Sequence, residues 1–132
     1  MGKILSIDFG TVRVGLAITD DDKKFALAFD TISAEPHDEC LKKLKDIINI
    51  EKVERIILGL PLTMEGTDGP QAQAVRVFGD ELIKLVSLPL DYIDERFSTK
   101  MSADISKMKG ASHPDAEAAR LLLDTWLEKN NK

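Results

Sequence analysis

The stretch from Arg55 to Leu60 (RIILGL) constrains this chain more than any other. Its apolar residues follow one another without the alternation of a half-exposed strand, so the segment needs cover on both faces. The flanking sequence supplies helices for that purpose. From His37, the apolar positions Cys40, Leu41, Leu44, Ile47 and Ile48 fall on one helical face. After Pro70, the positions Val75, Phe78, Leu82, Leu85 and Val86 do the same to about Ser87. Pro70 suits a first helical turn, where its missing N–H is not needed. A strand set between two such helices predicts a parallel arrangement with right-handed crossovers.

The remaining segments complete the pattern. Lys3 to Asp8 (KILSID) reads as a short strand, and Asp8-Phe9-Gly10-Thr11 as a turn. Val12 to Thr19 alternates, with Val12, Val14, Leu16 and Ile18 on one face. Asp20 to Lys23 reads as a polar hairpin loop with its acids in solvent, and Phe25 to Ser33 as a third strand. Leu88 to Asp94 is the fifth strand. Ser98 is placed to cap a short helix to about Lys107, and Lys107 to Ser112 is a basic loop. A last helix begins near Pro114, with Ala118, Ala119, Leu122 and Trp126 turned inward. The order β-β-β-α-β-α-β-α-α predicts one α/β domain over residues 1–132, a five-stranded mixed sheet with helices on both faces.

Composition narrows the function classes. With 43% hydrophobic and 31% charged residues, the chain reads as soluble and globular rather than disordered. No apolar run approaches the ~20 residues of a membrane span. Lys3 and Asp8 interrupt any signal-peptide pattern. Gly2 with Ser6 formally fits a myristoylation motif, but Lys3 to Asp8 reads as a buried strand instead. The lone Cys40 excludes an internal disulfide and a cysteine zinc site, and suits the reducing cytoplasm. The net charge of -5 runs against the basic face that phosphate binding usually requires, unless divalent cations offset an acidic site.

In open parallel sheets, sites lie beyond the carboxyl ends of the strands. Those ends are Asp8, the tight turn Gly59-Leu60-Pro61, and Asp94-Glu95. Asp115 shares helical spacing with Ala118 and Ala119, which predicts that it faces the sheet. A carboxylate there needs a partner or a metal. Asp8, Glu95 and Asp115 together suit a hard cation such as Mg²⁺ or Mn²⁺. Two such ions about 4 Å apart would activate a water and steady the leaving oxygen of a phosphodiester. Arg13, Arg96, Lys100, Lys107 and Lys109 are the candidates to offset phosphate charge. Plainer readings stand beside these. Asp8 could accept hydrogen bonds in the turn before Gly10, and Glu95 could pair with Arg96 at the surface. Ser112-His113-Pro114-Asp115 fits a capping box.

Five motifs in order give a further reading. They are Ile7-Asp8-Phe9-Gly10-Thr11-Val12-Arg13-Val14-Gly15, Gly59-Leu60-Pro61-Leu62, and Met64-Glu65-Gly66-Thr67 with Gly69-Pro70-Gln71-Ala72. Asp94-Glu95-Arg96-Phe97-Ser98-Thr99 follows, then Asp115 with Ala118-Ala119. Over nearly its whole length the chain resembles the YqgF/RuvX family of RNase H-like proteins, described both as Holliday-junction resolvases and as nucleases maturing the 5′ end of pre-16S rRNA. The resemblance implies an RNase H-like fold and metal-dependent phosphodiester cleavage, with Asp8, Glu95 and Asp115 as catalytic acids. It places Thr11 and Arg13 beside the site as substrate contacts, with Gly59 to Gly69 lining it. The partners it implies are precursor rRNA or branched DNA, with a second copy of the chain or ribosome-assembly particles, and no membrane. His113-Pro114 and Glu117 depart from the family pattern around Asp115.

Two other classes compete. Asp8 to Gly15 also resembles the phosphate loop of ATP-dependent phosphotransferases of the actin and sugar-kinase type, but that fold needs two halves and 132 residues supply one. A non-catalytic RNase H-like binding module is the other, and the presence of all three acids argues against it.

Overall fold

The first strand, β1 (Lys3–Phe9), lies at the centre of a five-stranded sheet of order β3-β2-β1-β4-β5. The computed structural model describes residues 2–95 and 114–130. In chain order its other elements are β2 (Arg13–Thr19), β3 (Ala26–Ser33), α1 (His37–Glu51), β4 (Val53–Leu60), α2 (Pro70–Val86), β5 (Leu90–Asp94) and α3 (Pro114–Asn130). β1 pairs antiparallel with β2 and parallel with β4, and β4 pairs parallel with β5. β2 pairs antiparallel with β3. The mixed sheet is therefore the predicted one. The helix placed at Ser98 to Lys107 and the loop to Ser112 lie outside the described residues. No helix among the described residues is long and apolar enough to cross a membrane.

Both faces of the sheet are covered, as the apolar run of β4 requires. On one face, Leu5, Ile7, Leu16, Ile56 and Leu58 pack against Leu44 and Ile48 of α1 and Val75, Phe78 and Leu82 of α2. On the other, Ile4, Ala17, Ala26, Ile57 and Ile93 pack against Ala119, Leu122, Leu123 and Leu127 of α3. Each of those buried leucines contributes about 2 kcal/mol through lost water contact.

Several local expectations are corrected. Asp8 and Phe9 still belong to β1, and the turn is Gly10 to Val12, closed by Gly10 N–H donating to the Arg13 carbonyl at 3.0 Å. Val12 therefore precedes β2 and is 65% exposed, off the buried row of Val14, Leu16 and Ile18. Gly59 is a residue of β4 rather than part of a turn. Leu85 is exposed, because Leu82 already completes the buried stripe of α2. In α3 the inward face is Ala116, Ala119, Leu122, Leu123 and Leu127, while Ala118 and Trp126 are only half-buried. Asp20 is more than a solvated acid. Its carboxylate accepts from the N–H groups of Lys24 (2.8 Å) and Phe25 (3.1 Å), which shapes the hairpin.

Candidate active site

The alternation of β1 separates its last two side chains. Leu5 and Ile7 turn toward α1 and α2, and Ile4 toward α3. The same period puts Phe9 with the former group and Asp8 with the latter. Phe9 indeed stacks on Phe78 of α2, with ring centroids 4.2 Å apart. Asp8 ends a buried row, so its carboxyl is largely taken out of water.

The neighbouring strands offer glycine on each side of Asp8. Gly15 of β2 is its cross-strand partner. On β4, Gly59 follows Leu58, the partner of Ile7. A side chain at Gly15 would run into the backbone carbonyl of Asp115. A Cβ at Gly59 would lie 2.8 Å from Glu95 Oε1 and 2.8 Å from Leu122 Cδ1. The missing side chains are thus the space into which the start of α3 and the Glu95 carboxyl pack. The sequence reading placed Gly59 at the site and Gly15 in its first motif, but did not assign the packing role of either. Their signal was present, since a lone glycine within a strand often marks close approach of another group.

Glu95 directly follows β5 and is hydrogen-bonded to Asp8. Burial, reinforced by the negative charge of Asp8 beside it, pushes the Glu95 carboxyl up to about 8. Asp8 is also raised, by burial first and by the charge of Asp115, while its hydrogen bond with Glu95 pulls the other way. At neutral pH the two acids share one proton, with Glu95 donating and Asp8 accepting.

Asp115 stands apart from this pair. Arg13 Nε donates to its Oδ2 at 2.8 Å, with the side chains 63% and 32% exposed. The expectation that Asp115 points fully toward the sheet is only half met. Its backbone packs on Gly15, while its carboxylate reaches outward to an arginine. Among the described residues no trio of acids, histidines or cysteines stands as a ready cation cage.

The donor set nevertheless fits a hard divalent cation. The available donors are carboxylate oxygens, and burial beside the charge of Asp8 raises the Glu95 carboxyl, an environment that positive charge would relieve. Asp8 and Glu95 would hold such an ion, and Asp115 would join on release from Arg13. An ion pair as exposed as Arg13–Asp115 is worth at most about 1 kcal/mol, so that exchange is a small step.

The other predicted contacts divide. Thr11 is exposed in the β1–β2 turn, beside Arg13. Arg96, Lys100, Lys107 and Lys109 lie outside the described residues, as do His113 and the Ser112 part of the capping box. Glu117 does not add charge to the site alone. It accepts from Arg120 Nε at 2.8 Å, and Arg120 also donates to Asp124 at 2.7 Å.

Comparison with known proteins identifies the family and the fold. A family model described as "RuvX: Holliday junction resolvase" matches residues 2–129. A protein of Maridesulfovibrio salexigens, provisionally named a pre-16S rRNA nuclease, is 40% identical over 96% of this chain and 98% of its own length. A Roseiflexus protein with the same provisional name is 35% identical over 96% of this chain and 94% of its own. Among solved structures, Thermus thermophilus RuvC superposes with a TM-score of 0.63 at 11% identity, covering 98% of this chain and 96% of that one. At that identity the likeness concerns the fold, and it is RuvC-like.

Proposed function

The chain belongs to the RuvX family, and from that premise we propose that it is a divalent-metal-dependent nuclease that hydrolyses phosphodiester bonds of structured nucleic acid, with maturation of the 5′ end of pre-16S rRNA as its role. The observation that carries this is the hydrogen-bonded Asp8–Glu95 pair at the carboxyl ends of parallel strands, with Asp115 close enough to act on Asp8 electrostatically. The names of the relatives favour precursor rRNA as substrate. The description of the family favours a four-way DNA junction as the alternative.

The residues divide the work. Asp8 is the fixed carboxylate, because β1 is central and Gly15 and Gly59 leave room for its partners. Glu95 holds the proton at neutral pH and gives it up when positive charge enters the site. Asp115 is the acid that Arg13 occupies, so its release also frees a guanidinium to meet a phosphate. Asp8, Glu95 and Asp115 would hold a Mg²⁺ or Mn²⁺ ion, whose chemistry there would be to polarise the phosphate and acidify a water.

The deciding experiment incubates the purified chain and an Asp8→Asn variant with labelled precursor rRNA and with a four-way DNA junction, in Mg²⁺ or Mn²⁺. Metal-dependent cleavage by the wild type alone is the expected result. Equal cleavage by the variant, or none by either protein on either substrate, would overturn the reading.

A further inference from the structure

A cavity of about 490 Å³ opens immediately beside the carboxylate pair and shares Glu95 with it. Its walls include Phe9, Pro61, Pro70 and Val75, and the exposed Thr11 and Gln71 add polar groups. The size and mixture are those of a pocket for a small organic group: apolar surface with a few polar atoms to orient it. Among the described residues no lysine or arginine lines it, and its mainly apolar walls suit a flat organic group better than a phosphate. The Phe9 ring is already fixed by its stack on Phe78, at 20° between planes, so binding against it costs little ordering.

Whatever enters meets Glu95, which also bonds Asp8. On a nucleic-acid strand the candidates there are phosphate, sugar and base. A flat heteroaromatic with a hydrogen-bonding edge fits apolar walls, an amide and a hydroxyl. A base inside a duplex cannot enter, because neighbours cover its faces and its partner covers its edge. Given the nuclease reading of Asp8 and Glu95, on which this rests, we propose that the cavity is a subsite for one unpaired nucleobase flanking the phosphodiester to be cut. The enzyme then selects strands with unpaired nucleotides at the cut over continuous duplex.

Ala74 lines the cavity from an exposed position on α2, so Ala74→Phe fills it without touching the core. Gln71→Ala removes a polar group and keeps the space. The test measures binding by fluorescence anisotropy in EDTA, with oligouridylate, oligothymidylate, an abasic strand and a duplex, each of about 12 nucleotides. Ala74→Phe is expected to weaken the two single strands about tenfold, within the range set by loss of one stacked base. Gln71→Ala is expected to weaken them severalfold. Binding of the abasic strand and the duplex, and the thermal midpoint, stay unchanged. A larger loss for uridylate than for thymidylate assigns the base to RNA, and an equal loss assigns it to either sugar; both support the subsite. Equal weakening of all four probes, no weakening of any, or no single-strand binding by the wild type overturns it. Metal-dependent cleavage that Asp8→Asn abolishes upholds the nuclease reading whichever way the subsite falls. Its absence, with the selective loss in Ala74→Phe intact, removes the nuclease reading alone.

Discussion

Arg13 and Asp115 are 102 residues apart in the chain and are joined by a 2.8 Å hydrogen bond between Nε and Oδ2. The arginine stands at the start of β2 and the aspartate in the first turn of α3, so the bond ties the hairpin to the helix. It also means that a cation using Asp115 would meet the positive charge of a guanidinium already held by the same carboxylate. Arg13→Ala is therefore expected to bind Mn²⁺ up to about fivefold more tightly by calorimetry, the loss of an exposed ion pair setting the ceiling. The same variant should bind nucleic acid more weakly. Unchanged or weaker Mn²⁺ binding would show that the pair does not compete with metal.

Gly59→Ala tests whether space, as well as charge, positions Glu95. The added methyl would meet Glu95 Oε1 and Leu122 Cδ1 at 2.8 Å, and both can swing aside. The fold should survive while the carboxyl leaves Asp8. A displacement of about 1 Å at a reacting group costs on the order of 100-fold in rate. The expected outcome is that loss in kcat with a near-native circular dichroism spectrum. Full activity would refute the packing argument.

Gly15→Ala should behave differently. Here the methyl meets backbone, the carbonyl of Asp115, which cannot rotate away. The start of α3 must lift from β2, at an overpacking cost of about 1–3 kcal/mol. Urea unfolding is expected to show that loss together with lost activity. A variant of wild-type stability would mean that α3 can shift freely.

The raised Glu95 carboxyl makes the metal-free fold sensitive to pH. Its ordinary value is 4.5, and in the fold it titrates at about 8. Between those values the folded chain keeps a proton that the unfolded chain has released. Stability in EDTA must then fall as pH rises through that window. Thermal midpoints measured from about pH 5 to about pH 8 are expected to decline for the wild type and to flatten for Glu95→Gln. A midpoint that climbs with pH, or the same slope in both proteins, would contradict the shared proton.

Much of this arrangement was legible before the fold was known, for identifiable reasons. The unbroken run at Ile56 to Leu58 demanded helices on both sides, and the rule for parallel strand ends pointed to Asp8 and Glu95. Local patterns reached less far elsewhere. Helical spacing set Ala118 inside, whereas Ala116 and Ala119 are the buried pair, a shift that leaves Asp115 half-exposed. Its bond to Arg13 joins segments with no sequence relation, so no periodicity could announce it. Val12 matched the alternation of β2 by composition, but the turn claimed it. The cavity beside Glu95 draws its walls from β1, the residue after β4 and the start of α2, and only the assembled sheet brings those together.

The layer formed by α3 has a consequence for the chain as it is made. Synthesis delivers Asp8 first, Glu95 much later, and Asp115 only with the helix that also covers Ile57 and Ile93. Docking of that helix through Ala119, Leu122 and Leu123 is the same event that brings the third acid to β2. A nascent chain whose α3 has not yet docked therefore lacks the Asp115 contact with β2, and its carboxylates assemble only once this last face has closed.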